Sequence, residues 1–469
     1  EARAVRAAAS GHDARARRHA ATGLDELTGW RSSFGSLDMQ ASLAMHGNGL
    51  MLAGLGSAVR SGRPDVLFEW SERARHLSLQ VVPLRPPPDA AAAADLAELR
   101  MLRADLVGSD WASDARVIEV GDRLRHRQWT TTPARGVEAT VSLEDAMAAL
   151  EPGTALLAYV FSPAGLGCIV VTECSARFVA LPQWESARAA LPALRADLDM
   201  SAQLRTDLNG PMIAVVRRSL DARAAALSAQ LLAPVLAAAG DATARLVITV
   251  PGVLSGMPWG VLPDIGGRAF TLAPSASHWV HGRRTGRAAT ASVGFAAGPR
   301  VARAEEEITA AATAWTGAAP RLLRDDGATV AAVAAVAGEI DVLHVAAHGR
   351  HSVDNPMFSG LELADGTLFG YDIDQIPRVP DVVVLSACEV GRSAVRWGEE
   401  AVGMARAWLH AGVRCVVAAP VVVADDDACE LLASLHEGLA VGVEPAIALA
   451  EAAGRTGIRS AFECHGDGF

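Results

Sequence analysis

The chain has 469 residues, 51% hydrophobic and 20% charged, with a formal net charge of −11. That length exceeds what one hydrophobic core commonly supports, the composition is that of an ordered globular protein, and the acidic balance argues against a generic nucleic-acid binder, whose footprint is a basic face, while leaving room for local arginine clusters. All 42 basic residues are arginines, which excludes mechanisms built on a Schiff-base or P-loop lysine.

Residues 1–82 are rich in Ala, Arg and Leu, and 47–76 read as two helices joined by a Gly-Arg-Pro turn at 62–64. Helix pairs of this kind bury their apolar faces only against stacked neighbours. Segment 1–82 is therefore expected to be the remnant of a TPR-like helical-repeat array whose missing units precede Glu1. The chain opens on Glu1 and its first 30 residues hold no apolar signal core. The proline-rich stretch 81–89 ends the helix, a further helix spans roughly 90–107, and 83–149 is read as linker and connecting helices.

From residue 154 the period changes. The short apolar runs 155–161, 167–171 and 177–181 read as strands, and 245–250, 292–297, 341–347, 381–387 and 414–420 are near-continuous apolar runs alternating with helical segments. That pattern predicts a doubly wound, mainly parallel α/β sheet, whose functional groups gather at the carboxyl ends of strands. Two of these runs end in His348-Gly349 and Ser386-Ala387-Cys388, delivering an imidazole and a thiol to one sheet edge. A cysteine nucleophile needs such a base to hold its thiolate, and the small Gly349 and Ala387 leave room for a peptide backbone. The N–H groups of Gly349 and Cys388 would then face the oxyanion. A random Cys/His pair is most often structural; the matching strand ends set this one apart.

The six cysteines, at 168, 174, 388, 415, 429 and 464, form no CxxC pair, which points to a reducing cytoplasm. The longest apolar stretch, 413–424, is broken by Arg414 and Pro420, so no membrane span is expected. His344 and His348 stand four apart on a strand with no intervening Glu, so no metal is expected and His344 is assigned to the core. The clusters Glu305 to Glu307 and Asp325-Asp326 read as solvated faces. Asp425, Asp426 and Asp427 open a helix, where the dipole favours carboxylates.

The stretches HVAAHG (344–349), LELADG (361–366) and VVVLSACEVG (382–391) resemble the CHAT family of caspase-like peptidases, relatives of separase and the caspases. The resemblance extends through VPGVLSGMPWGVL (250–262), AEEEI (304–308), GEEAVGMARAWLHAGV (398–413) and FECHGDG (462–468), covering about 150–469. It implies a caspase-like fold in which a pseudo-caspase part, about 150–240, precedes the active half. It also implies Cys388 as nucleophile, His348 as general base, Gly349 at the oxyanion site, and neither metal nor organic cofactor. Separases carry acidic residues in the segment matching 418–427, near a pocket for a basic side chain, so Asp425 and Asp427 are assigned to substrate binding. Where members commonly carry Trp in that segment, this chain has Val421 to Val423.

The implied activity is endoproteolysis of a specific protein partner, in bacterial signalling, cell death or antiphage defence, with an activating protein docking on the N-terminal helices. Neither nucleic acid nor membrane is an expected partner. The loop 391–400 is expected to be mobile and to gate the site. The rival reading is a catalytically silent caspase-like scaffold.

Overall fold

The computed structural model describes residues 1–31, 47–79, 90–105, 113–130, 139–204, 211–284, 286, 289–350, 359–387, 399–459 and 461–469. Its strands in chain order are β1 (Thr154–Ser162), β2 (Gly165–Val171), β3 (Ala176–Ala180), β4 (Arg245–Thr249), β5 (Ala269–Leu272), β6 (Val293–Ala297) and β7 (Arg321–Leu323). They continue with β8 (Val342–Ala346), β9 (Gly349–Arg350), β10 (Gly360–Leu363), β11 (Gly366–Phe369), β12 (Val382–Ser386), β13 (Cys415–Ala418) and β14 (Glu463–Gly466). Among the described residues, an eleven-stranded sheet runs β3-β2-β1-β4-β5-β14-β13-β12-β8-β6-β7, and β9, β10 and β11 form a small second sheet.

Every run read as a strand is one. The expected mainly parallel sheet is refined in two respects: β2 runs antiparallel to both β1 and β3, and β14 pairs parallel with β5 but antiparallel with β13. The block β1, β4, β5 therefore points opposite to the block β13, β12, β8, β6, β7, and each block opens its carboxyl ends on its own edge. Pattern reading missed β5, β7 and β14 because they are short and interrupted by polar residues such as Thr271, Arg321, Glu463 and His465.

The apolar runs have no alternation because both sheet faces are covered. Along β12, Val382 and Val384 join one core while Val383 and Leu385 join the other; Cys415 and Val417 of β13 alternate in the same way with Val416 and Ala418. Each such fully buried valine or leucine contributes about 1.5–3 kcal/mol.

The helices Asn48–Arg60 and Pro64–Leu79 flank the predicted turn. They share the first core with β1 through Leu55, Leu67, Phe68 and Trp70. A buried polar joint fixes them there. Glu72 takes the N–H groups of Ala276 and Ser277 at 3.1 and 2.7 Å and the Ser277 hydroxyl at 2.7 Å, capping the helix Ala276–Arg284. Arg75 donates to the carbonyls of Tyr159 and Thr249. The helices Ala90–Asp105 and Ala115–Thr130 lie on the other core, where Arg100 pairs with Asp372. The proline-rich stretch 81–89 lies outside the described residues.

Ala214–Ala239 is long and apolar enough to cross a membrane by length and composition, which corrects the expectation of no such segment. In this fold its apolar side meets the sheet: Leu227, Leu231, Leu232 and Val235 are buried, and the Tyr159 hydroxyl donates to the Leu231 carbonyl at 2.9 Å.

Candidate active site

In the second half of the sheet the chain leaves β6 for β7 on one side, then returns to β8 on the other. Such a reversal opens a crevice at the carboxyl ends of the two strands. The segment leaving β6 crosses this crevice because Gly298 lacks a side chain: a Cβ there would lie 2.5 Å from the Glu362 carbonyl oxygen and 2.7 Å from the Ala347 Cβ. Arg300 and Arg303 then adopt left-handed backbone conformations, φ 61° and 60°, that cost free energy in residues with a Cβ.

The turn aims the Arg300 carbonyl at His348, just beyond β8, whose Nε2 lies 3.1 Å from it. A carbonyl only accepts, so Nε2 carries the proton and Nδ1 is the basic nitrogen. An imidazole held this way presents Nδ1 as the nitrogen that can take a thiol proton. Residue sequence alone gave no sign of this backbone partner.

β12 lies beside β8 in parallel register, Ser386 opposite Ala346, with the Ala347 N–H donating to the Ser386 carbonyl at 3.0 Å. His348 follows Ala346 by two residues and Cys388 follows Ser386 by two. Cys388 itself, and the loop to 398, lie outside the described residues. Gly349 is buried and enters β9, opposite Leu361 of β10.

Asp425, Asp426 and Asp427 open the helix Asp425–Ala440, as expected, and the structure divides them. Asp425 is half-buried, and burial pushes its carboxyl up; the charges of Glu307 and Asp426 add to that, while His348 and Arg303 oppose it. It therefore sits within the electrostatic reach of the imidazole. Asp426 pairs with Arg303, which also binds Glu306 at 2.6 Å. Asp427 instead lines a cavity of about 600 Å³ with Val422, Val423, Glu430 and Arg217. The two carboxylates assigned to substrate binding thus occupy different places. Val421 to Val423, where the family commonly has Trp, are buried.

Glu307 overturns the reading of 305–307 as a solvated face. Glu305 and Glu306 are exposed, but Glu307 is 5% exposed and accepts from His344 Nε2 at 2.9 Å and from the Ser386 hydroxyl at 3.1 Å. His344, in the core as expected, continues through Nδ1 to His436 Nε2 at 3.1 Å, and the Trp315 indole N–H donates to His436 Nδ1 at 3.1 Å. The two imidazoles stack with an interplanar angle of 7°, and Phe295 packs against both. Period-four spacing on the helix Ala304–Ala312 would have found the inward Glu307, beside the buried Ile308 and Ala311.

A doubly wound sheet with an imidazole at its switch point, and a cysteine two residues past the neighbouring strand, defines the caspase-like class of α/β proteins. The chain belongs to the CHAT domain family, whose profile matches residues 221–457. A solved structure of the Saccharomyces cerevisiae separase–securin complex at 3.0 Å resolution is similar in fold, with a TM-score of 0.52 and 10% identity over 91% of this chain and 35% of that chain. A second structure of that complex, at 2.6 Å, gives a TM-score of 0.49 and 9% identity over 91% of this chain and 37% of that one. The chain thus spans about a third of the length of those chains. A sequence comparison with curated proteins gives no match.

Proposed function

We propose that the protein is a cysteine endopeptidase that cuts a specific protein partner through Cys388 and His348. The observation that supports this reading is the level ending of β8 and β12, Ala346 opposite Ser386, after which His348 and Cys388 each follow two residues later in the sequence, together with the Arg300 carbonyl 3.1 Å from His348 Nε2. Membership of the CHAT family supports it.

In this reading His348 Nδ1 takes the Cys388 proton and the thiolate attacks the scissile carbonyl. The oxyanion meets backbone N–H groups that include Gly349, and the imidazolium returns its proton to the leaving amine. Water then releases the acyl group with His348 again as base. Asp425, near the imidazole, offers a countercharge to a basic residue on the acyl side of the cut, where a partly desolvated pair discriminates strongly. Cleavage of one partner, rather than general digestion, accords with a fold similar to a complex of a separase with securin. A place in signalling, cell death or antiphage defence, with the N-terminal helices receiving an activator, completes the proposal.

Profiling a peptide library with wild type, Cys388→Ala and His348→Ala tests it. Wild type should cut after Arg or Lys and both variants should lose at least about a thousandfold in rate. A Cys388→Ala protein that cuts at the wild-type rate would refute the assignment.

A further inference from the structure

The reading of Cys388 and His348 as a catalytic pair leaves a buried polar chain without a role. The Trp315 indole is only a donor, so His436 Nδ1 accepts from it and His436 Nε2 carries the proton. His344 Nδ1 must then accept, and its Nε2–H donates to one oxygen of Glu307. The other oxygen takes the Ser386 hydroxyl. Each link fixes the next, and the chain ends on a carboxylate whose two oxygens are held by side chains from two different strands.

Those strands are the ones that matter. His344 lies on β8, four residues before His348; Ser386 closes β12, two residues before Cys388. We propose that Glu307 is a positioning residue, whose carboxylate clamps β8 to β12 and so fixes the strand ends from which His348 and Cys388 follow. The inference rests on the proposed Cys388/His348 pairing. The physical case is that buried polar groups must be satisfied, and a doubly charge-assisted carboxylate fixes geometry more tightly than apolar packing does. The carboxylate enters from the first turn of the helix Ala304–Ala312, directly after the strained turn that carries the Arg300 carbonyl. One short segment, 298–307, thereby orients the base through a carbonyl and the strand ends through a side chain.

Iodoacetamide alkylation at pH 7, with modification at each cysteine followed by mass spectrometry, tests this without a known substrate. The proteins are wild type, His348→Ala, Ser386→Ala and Glu307→Gln. Exposed Cys174 supplies the reference rate, and buried Cys168 and Cys429 report general loosening. Losing the clamp should slow Cys388 by about tenfold in both clamp variants, since small misplacements of reacting groups cost up to about a hundredfold. A merely structural role for Glu307 would instead speed Cys168 and Cys429 and leave Cys388 unslowed. Ser386→Ala removes one oxygen atom, so it remains decisive where Glu307→Gln does not fold. Cys388 reacting within twofold of wild type in Ser386→Ala, while His348→Ala slows it, overturns the clamp alone. Cys388 unslowed in His348→Ala overturns the pairing beneath it, and the clamp with it.

Discussion

At the scale of single residues, two side chains carry separable consequences. Asp425 lies within electrostatic reach of the imidazole, while Asp427 lines a different cavity and Asp426 is engaged by Arg303. Asp425→Asn should therefore lower kcat/KM for peptides with Arg before the cut by about tenfold or more while sparing apolar ones, because a hydrogen-bonded charge pair is lost only for the basic side chain. Equal loss for both peptides would remove Asp425 from the pocket. His436 is fully buried, and desolvation, reinforced by His344, holds its imidazole well below the ordinary range. The unfolded chain binds a proton at this position below about pH 6.5 and the folded chain does not, so this contribution to stability is present above that pH and is lost as pH falls. Protonation would also deny Trp315 its acceptor. His436→Gln, which cannot titrate, should be less stable than wild type at pH 7.5 yet lose less stability on going to pH 5.5. Denaturant midpoints at the two pH values decide, and equal losses would contradict the burial argument.

At the scale of elements, the N-terminal helices are joined to the sheet by buried chemistry as well as by apolar contact. Glu72 caps the helix Ala276–Arg284, and Arg75 reaches the carbonyls of Tyr159 within β1 and of Thr249 at the end of β4. Glu72→Ala leaves Arg75 without its nearby carboxylate, 3.9 Å away, and strips the acceptor from two N–H groups and a hydroxyl. Removing one partner of a buried pair costs about 3–5 kcal/mol, so chemical denaturation should show a loss of that order. A loss under about 1 kcal/mol would mean the helices rest on the domain without bracing it.

The elements also show what pattern reading reaches. β8 and β12 were readable because five consecutive buried residues, apolar except for His344 and Ser386, are the mark of a strand covered on both faces. The His348 and Cys388 positions followed from where those runs stop. β14 escaped because its membership of the sheet is enforced by neighbours β5 and β13 rather than by its own Glu-Cys-His-Gly sequence. The Arg300 carbonyl escaped because a backbone atom has no sequence signature, and Glu307 because two exposed glutamates precede it. Both misses concern long-range contacts created only when the turn after Gly298 crosses the end of β8.

At the scale of the whole molecule, the sheet contains two oppositely directed parallel blocks that meet where β14 pairs with β13, and His348 lies at the carboxyl edge of the second. In the first block Arg75, from the N-terminal helices, donates to carbonyls of β1 and β4. The central claim rests on one thiol among six. The most direct measurement is labelling with a peptidyl acyloxymethyl ketone bearing Arg next to the reactive ketone, followed by mass mapping of the adduct in wild type and His348→Ala. The account predicts a stoichiometric adduct on Cys388 that His348→Ala abolishes. An adduct on exposed Cys174, or labelling of Cys388 that does not depend on His348, would contradict it.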